Sequence, residues 1–433
     1  MKFFFFSILL LLNISVYSQD QLSLNEAIKI ALQKNSGLLT NQNNMLKSES
    51  ALTAAYGNFL PDLGASGSWN WNKNKGDGYE IDSRSWSVGI NSSIVLFDGL
   101  SNFANLSRSQ NNYEAVKLSI EQKKQEVIFQ TINLYYAIVE AEQVLKVREE
   151  DVKQQQKNLE TIEERNRLGS VTKADVYQQQ VQLGNAELQL IQQKNLLETA
   201  KSNLLFYLGL DVLQNYQYSD SFSEREIKIL DTDINTDYDR LSELVKQALN
   251  NRRDYLAQKL TLDSYYDNLT IARSGHLPSL TGRVGYGTDA ATPNNLFKDH
   301  SFSAGLTLSI PLFSGFSTHN LIQGAEVDAL NYELQVKDSE RMIKQEIQKS
   351  FLDLEAAKKG LLVTQKNVSA AEENLKIEQE KYNLGAGKLL DVLIANTSYQ
   401  NAKTNYINSQ FNYIKLSEEL KYNLGTLDYK SYE

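Results

Sequence analysis

The chain has 433 residues, a formal net charge of −9 and no cysteine. An acidic chain without a basic cluster excludes a nucleic-acid footprint, and the missing thiols exclude a disulfide framework and a lipid-modified N-terminal cysteine. The 23 tyrosines suit interfaces, and only 4 prolines suit long uninterrupted helices.

Residues 1–18 read as a secretory signal. Met1-Lys2 is a basic start, residues 3–12 are apolar, and Val16 and Ser18 fit the −3 and −1 positions of a cleavage site after Ser18. The apolar run is shorter than the roughly 20 residues a spanning helix needs. No later segment is apolar enough to span as a helix, so any membrane contact must use strands or a surface patch.

Residues 24–58 then predict one helix, stopped by Pro61. From Leu63 the pattern has period two: Leu63, Ala65, Trp69 and Trp71 alternate with Asp62, Gly64, Ser66, Ser68 and Asn70. A polar stretch, residues 72–83, separates this strand from a second. There Trp86, Val88, Ile90, Ile94 and Leu96 share one face, and Ser85, Ser87, Gly89, Asn91 and Ser93 the other. One aromatic-aliphatic face and one small polar face, over about 9–12 residues, is the pattern of an outer-membrane barrel strand. The chain's three tryptophans all lie in this hairpin, as anchoring at a membrane interface requires.

Residues 102–166 contain neither proline nor glycine and predict a very long helix. Thr131, Ile138, Leu145, Val152 and Leu159 recur every seven residues, and after a Leu168-Gly169-Ser170 tip so do Val176, Leu183, Leu190, Leu197 and Leu204. Sustained heptads imply left-handed coiled-coil packing. Residues 211–239 are polar and read as a mid-height linker, with a short alternating run at Ile227 and Ile229.

The whole pattern then repeats. Ala31-Leu32 recurs as Ala248-Leu249 and Leu60-Pro61 as Leu277-Pro278, 217 residues on. Leu96-Phe97-Asp98-Gly99 recurs as Leu312-Phe313-Ser314-Gly315 and Leu168-Gly169 as Leu384-Gly385, 216 residues on. Strands around Leu280, Val284 and Tyr286, and from Phe302 to Leu312, form the second hairpin. Ile347, Leu354, Leu361, Val368, Leu375 and Tyr382, then Val392, Tyr399, Tyr406, Tyr413 and Leu420, form the second set of heptads. The expected units are 19–210 and 240–427, with a tail at 428–433.

Lengths constrain the shape. At 1.5 Å per residue the long helix spans roughly 97 Å, and the helices before the strands and after the tip roughly 52 and 54 Å. Each unit thus supplies one full-length helix and two half-length helices stacked end to end. Four strands per chain cannot close a barrel, so a membrane-spanning sheet must be shared between copies. The predicted fold class is an α+β membrane protein: a long-helix coiled-coil α-barrel joined to an oligomeric transmembrane β-barrel.

Several segments carry a family resemblance. Lys381-Tyr382-Asn383-Leu384-Gly385-Ala386-Gly387, followed by Asp391-Val392-Leu393, resembles the helical-tip segment of TolC-type outer-membrane efflux proteins. So do Leu22-Ser23-Leu24-Asn25-Glu26-Ala27 near the start, the Leu-Pro before each hairpin, the Phe-Asp-Gly or Phe-Ser-Gly after it, and the closing Leu424-Gly425-Thr426-Leu427. The resemblance runs from about residue 22 to 427. It implies a homotrimer with a twelve-stranded barrel in the outer membrane of a Gram-negative-type bacterium and a twelve-helix tunnel in the periplasm. A periplasmic adaptor grips the helical tips and an inner-membrane pump drives export through a passive duct. The alternative is a coiled-coil structural or surface-attached protein without channel activity.

The resemblance places adaptor contacts at Leu168, Gly169, Ser170, Leu384, Gly385 and Ala386, although glycine there is also an ordinary helix cap. It places a periplasmic gate at Asp175 and Asp391. Thr172-Lys173-Ala174-Asp175 equally fits a capping box, whereas no Ser or Thr stands at the matching place before Asp391. Ile394, where some relatives carry a second acid, weakens the acidic ring. Trp69, Trp71, Trp86, Tyr286 and Phe302 are the expected interface aromatics, facing outer-membrane lipid. Arg165, Arg167 and Arg253 read as charges on solvated faces, with salt bridges in the tunnel as the alternative. His276, His300 and His319 lack ligand-like spacing, so no metal or cofactor is expected, and no catalytic constellation is present.

Overall fold

A computed structural model describes residues 21–214, 216–218 and 238–427. The expected signal peptide, most of the expected linker with Ile227 and Ile229, and the 428–433 tail lie outside these. The first unit runs β1 (Gln21–Leu22), α1 (Leu24–Lys34), α2 (Ser36–Gly57), β2 (Asp62–Gly76), β3 (Tyr79–Asp98), α3 (Ser101–Arg167), α4 (Lys173–Leu208) and β4 (Gln217–Tyr218). The second runs α5 (Tyr238–Asn251), α6 (Arg253–Ser274), β5 (Ser279–Ala290), β6 (Ser301–Ser309), α7 (Ser317–Asn383) and α8 (Leu389–Asn423).

The duplication extends to the backbone. Both long helices have 67 residues. Each is entered through two successive left-handed residues, Gly99 (φ 69) with Leu100 (φ 73), and Gly315 (φ 59) with Phe316 (φ 65). Leu100 and Phe316 are the only non-glycine residues with positive φ among the described residues. A side chain there costs about 1–2 kcal/mol, so the same sharp strand-to-helix turn is held against strain twice.

The expected single helix over 24–58 is broken. Asn35 leaves the helical region (φ −60, ψ 119) and caps α2 through its side chain, 3.1 Å from the Leu38 amide, while its amide nitrogen donates to the Tyr207 carbonyl at 3.0 Å. Arg252 makes the matching break between α5 and α6 (φ −64, ψ 115). It is held by Asp254 at 2.7 Å and by Glu346 of α7. Each break receives the glycine that ends the other half-length helix. A Cβ on Gly209 (φ 68) would meet the Lys34 carbonyl oxygen at 3.0 Å, and one on Gly425 (φ 67) the Asn251 carbonyl carbon at 2.9 Å. Gly425→Ala combines left-handed strain of about 1–2 kcal/mol with a backbone collision. It is expected to lower the thermal midpoint of the purified protein more than Gly324→Ala, a helix position where a Cβ meets nothing.

The largest core lies at this mid-height level, where Ile28 and Leu38 meet Ile128, Ile138, Leu204, Leu208 and Phe411. Parallel pairing of Gln21 with Gln217 and Leu22 with Tyr218 ties the chain's start to the end of the first unit. Along both helices the predicted heptads face inward: Ile347, Leu354, Leu361 and Leu375 of α7 are buried, as are Val392 and Tyr413 of α8.

Contacts between helices give a lateral order. The stack of α2 and α4 packs on α3, α3 packs on the stack of α6 and α8, and that stack packs on α7. The sheet has the same order, β2-β3-β5-β6, antiparallel throughout. Both layers therefore end on the same two flanks: β2 with α2 and α4 on one side, β6 with α7 on the other.

Candidate functional site

The sheet keeps its two faces across all four strands. Ala65, Ile90, Tyr286 and Phe302 stand in one cross-strand row on the aromatic-aliphatic face. Next to it, Gly64, Asn91, Gly285 and Ser303 form a row on the polar face, and Asp62, Ser93, Arg283 and Gly305 another. Trp69 and Trp86 face each other four residues further along, ring centroids 5.9 Å apart. At about 3.4 Å per residue that is ~13 Å along the strand. The five expected interface aromatics thus occupy three levels, with Tyr286 and Phe302 in the Ile90 row, Trp69 and Trp86 four residues along, and Trp71, opposite Arg84, two residues further.

The first hairpin is longer than predicted. Residues 72–83 are strand up to a turn at Asp77-Gly78 (Gly78 φ 86), not a polar connection. Polar side chains pair across it instead of apolar ones: Trp71 Nε1 donates to Asp82 at 2.8 Å, and Lys73 pairs with Glu80. β3 also bulges between Val95 and Phe97, so Phe97 rather than Leu96 stands opposite Leu280. β6 ends at Ser309 instead of running to Leu312, because Pro311 has no amide to continue the ladder.

At the other end of the molecule lie the two tips. Both close as Schellman caps. Gly169 (φ 76) donates to the Asn166 carbonyl at 2.9 Å and Ser170 to that of Arg165 at 2.9 Å. Gly385 (φ 77) donates to Tyr382 at 3.1 Å and Ala386 to Lys381 at 2.8 Å. The cap leaves the leucine before each glycine outside: Leu168 is 68% and Leu384 84% exposed. Two leucines on small-residue turns are free apolar knobs at the end of the bundle.

The two aspartates differ. Asp175 closes a capping box: its carboxylate accepts from the Thr172 amide at 2.8 Å and hydroxyl at 2.7 Å, while its own amide donates to Thr172 Oγ1 at 3.2 Å. Lys388, which precedes α8, supplies no side-chain cap, and Asp391 is exposed in the first turn. Asp391, Glu378, Lys381, Ala386 and Ile394 line one groove of α7 and α8.

A tether joins the tips that the sequence reading missed. Arg165 of α3 donates to Asn383 Oδ1 at 3.0 Å and lies 5.1 Å from the centre of the Tyr382 ring. Ile162, Leu389 and Leu393 are buried beneath it. Arg165 is thus half-buried and held by the other repeat, and Arg253 forms the alternative salt bridge, pairing with Glu121 of α3 at 3.0 Å. Arg167 does point outward, and its hydrogen bonds hold the Glu164 carboxyl below the usual carboxylate range. Higher up, buried Asp151 accepts from Gln155 at 3.0 Å and from Asn396 of α8 at 3.2 Å, while Gln179 of α4 donates to Gln155 at 2.8 Å. This polar layer links three helices. Its only trace in the sequence is an acid and a glutamine four residues apart beside an apolar stripe.

A barrel-type sheet at one end and coiled-coil tips at the other frame the comparisons with known proteins. The outer membrane efflux protein family model matches residues 22–210 and 244–426. The chain is 23% identical to outer membrane protein TolC of Salmonella enteritidis over 95% of its own length and 82% of that protein's. Its fold is similar to that of CusC, with a TM-score of 0.84, 17% identity and coverage of 93% of this chain and 92% of that one. It is also similar to the Campylobacter jejuni CmeC outer membrane channel, with a TM-score of 0.82, 18% identity and coverage of 94% and 88%. With both repeats matched in order, the chain belongs to the outer membrane efflux protein family.

Proposed function

We propose that three copies of this chain close one twelve-stranded barrel in the outer membrane and one twelve-helix tunnel beneath it, forming a passive export duct. The observation that carries this reading is the pair of matching free flanks. β2 and β6 have no outer partner among the described residues, and an open edge in lipid leaves backbone groups unpaired at several kcal/mol each. On the same flanks, α4 exposes Tyr177, Val181, Leu188 and Ile191, and α7 exposes Met342, Ala356, Val363, Ala370 and Ile377 at seven-residue spacing or its multiples. These are coiled-coil seams without a helix on them. Light scattering of the purified protein in detergent is expected to give three chain masses. A monomer retaining full β content would overturn the reading.

In this assembly the polar face lines the pore and the aromatic-aliphatic face meets lipid. The Trp69–Trp86 level sits at the membrane boundary, and Tyr286 and Phe302 lie within the apolar band. The exposed Leu168 and Leu384 knobs, with Gly169, Ser170, Gly385 and Ala386 beside them, suit docking of the helical hairpin of a periplasmic adaptor. An inner-membrane pump supplies the energy, and the chain performs no chemistry of its own. Asp391, free of capping, serves as the gate carboxylate, three per trimer, while Asp175 acts first as a helix cap. Opening parts the α7–α8 hairpin from α3–α4, and adaptor binding favours the parted state.

A further inference from the structure

A cleft of about 270 Å³ opens between the end of α3 and the turn joining α7 to α8. Its apolar wall includes Ile162, Leu389, Val392 and Leu393, and its polar wall includes Arg165 and Asn158. Arg165 contributes a guanidinium whose recorded partners are neutral, the Asn383 amide oxygen and the Tyr382 ring. One of its N–H groups serves Asn383, and no carboxylate pairs with it among the described residues. Tyr382, also in the wall, has a hydroxyl shielded from solvent that makes no hydrogen bond. Leaving such a group unsatisfied costs about 1–3 kcal/mol.

We infer that this cleft is a binding site for a small amphipathic carboxylate. A guanidinium presents parallel donors that match a carboxylate, and charge-assisted hydrogen bonds are the strong ones. The aliphatic wall fits a ring or short acyl chain next to that group. The volume falls below the roughly 300 Å³ at which drug-sized pockets begin, so the ligand is limited to about one ring. Bound there, it bridges α3 to α7 and α8. The cleft lies within one chain, so its binding test stands or falls independently of duct activity.

Titration calorimetry of the purified full-length protein with benzoate, and with benzamide as the uncharged isostere, tests this. Benzoate is expected to saturate at a concentration at least tenfold below benzamide. Arg165→Gln removes that preference and Arg165→Lys retains part of it. Should Arg165→Gln fail to assemble, Asn158→Trp, which fills the cleft from its rim with the arginine intact, is expected to abolish benzoate binding. The inference is overturned if benzoate shows no saturable binding, if it binds no better than benzamide, or if Arg165→Gln or Asn158→Trp leaves its affinity unchanged.

Discussion

Ile90→Arg is expected to abolish membrane assembly, while Asn91→Arg, one residue along, leaves it intact and alters conduction. The two positions are adjacent in β3 and point to opposite faces, with Ile90 in the row of Ala65, Tyr286 and Phe302 and Asn91 in that of Gly64, Gly285 and Ser303. Ile90 stands about 13 Å along the strand from the tryptophan level, which is near the middle of an apolar band about 25 Å tall. An arginine there costs about 2–4 kcal/mol per chain, and a closed trimer carries it three times. At Asn91 the same charge meets water in the pore, and it adds three cations to a face otherwise built from Gly64, Gly285 and Ser303. Outer-membrane fractionation and the resistance of the trimer to detergent read the first effect. Single-channel ion selectivity reads the second, with a shift toward anions. Equal loss of assembly in both variants would show that the sheet does not separate lipid from water.

A second pair of variants separates gate from cap. Asp175→Ala removes the carboxylate that accepts from the Thr172 amide and hydroxyl, while the backbone amide at 175 still donates to Thr172 Oγ1. It is expected to lower stability by about 0.5–1 kcal/mol, the lower part of the range for a lost helix cap, with little change in ion preference. Asp391→Ala removes a carboxylate with no capping partner. It is expected to leave the unfolding free energy within about 0.5 kcal/mol of the parent, the range of ordinary surface substitutions, and to reduce preference for cations by removing three negative charges from a narrow entrance. With Ile394 adding no second ring of acids, the single ring carries the whole effect. Reversal-potential measurements on both variants distinguish the roles. An unchanged potential in Asp391→Ala would remove it from the gate.

Much of this was legible in the sequence because its signals are periodic and local. A stretch without proline or glycine over 102–166 foretold Ser101–Arg167 almost to the residue, and period-two alternation located both hairpins and their faces. The features that stayed hidden have different physics. Asn35 breaks a helix while Ala31 and Leu38 remain in helical phase, so the apolar pattern runs through the break. Arg252 does the same with a charged residue and no turn signal. The upper part of the first hairpin is held by polar cross-strand pairs, and a polar strand looks like a loop when apolar alternation is the guide. Arg165 looks solvated in the sequence because its partners, Tyr382 and Asn383, lie more than two hundred residues away, in the other repeat. The capping box at Thr172 was visible as a motif. Whether its aspartate does anything further depends on where three such residues meet, which one chain does not encode locally.

Single-channel recording of the purified trimer in a planar bilayer tests the central claim most directly. A passive duct with a tethered entrance is expected to give small, uniform, cation-preferring current steps, and Arg165→Gln, which removes the tether to Tyr382 and Asn383, is expected to raise the step size. A trimer that inserts stably yet carries no current, with the tether intact or removed, would contradict the account.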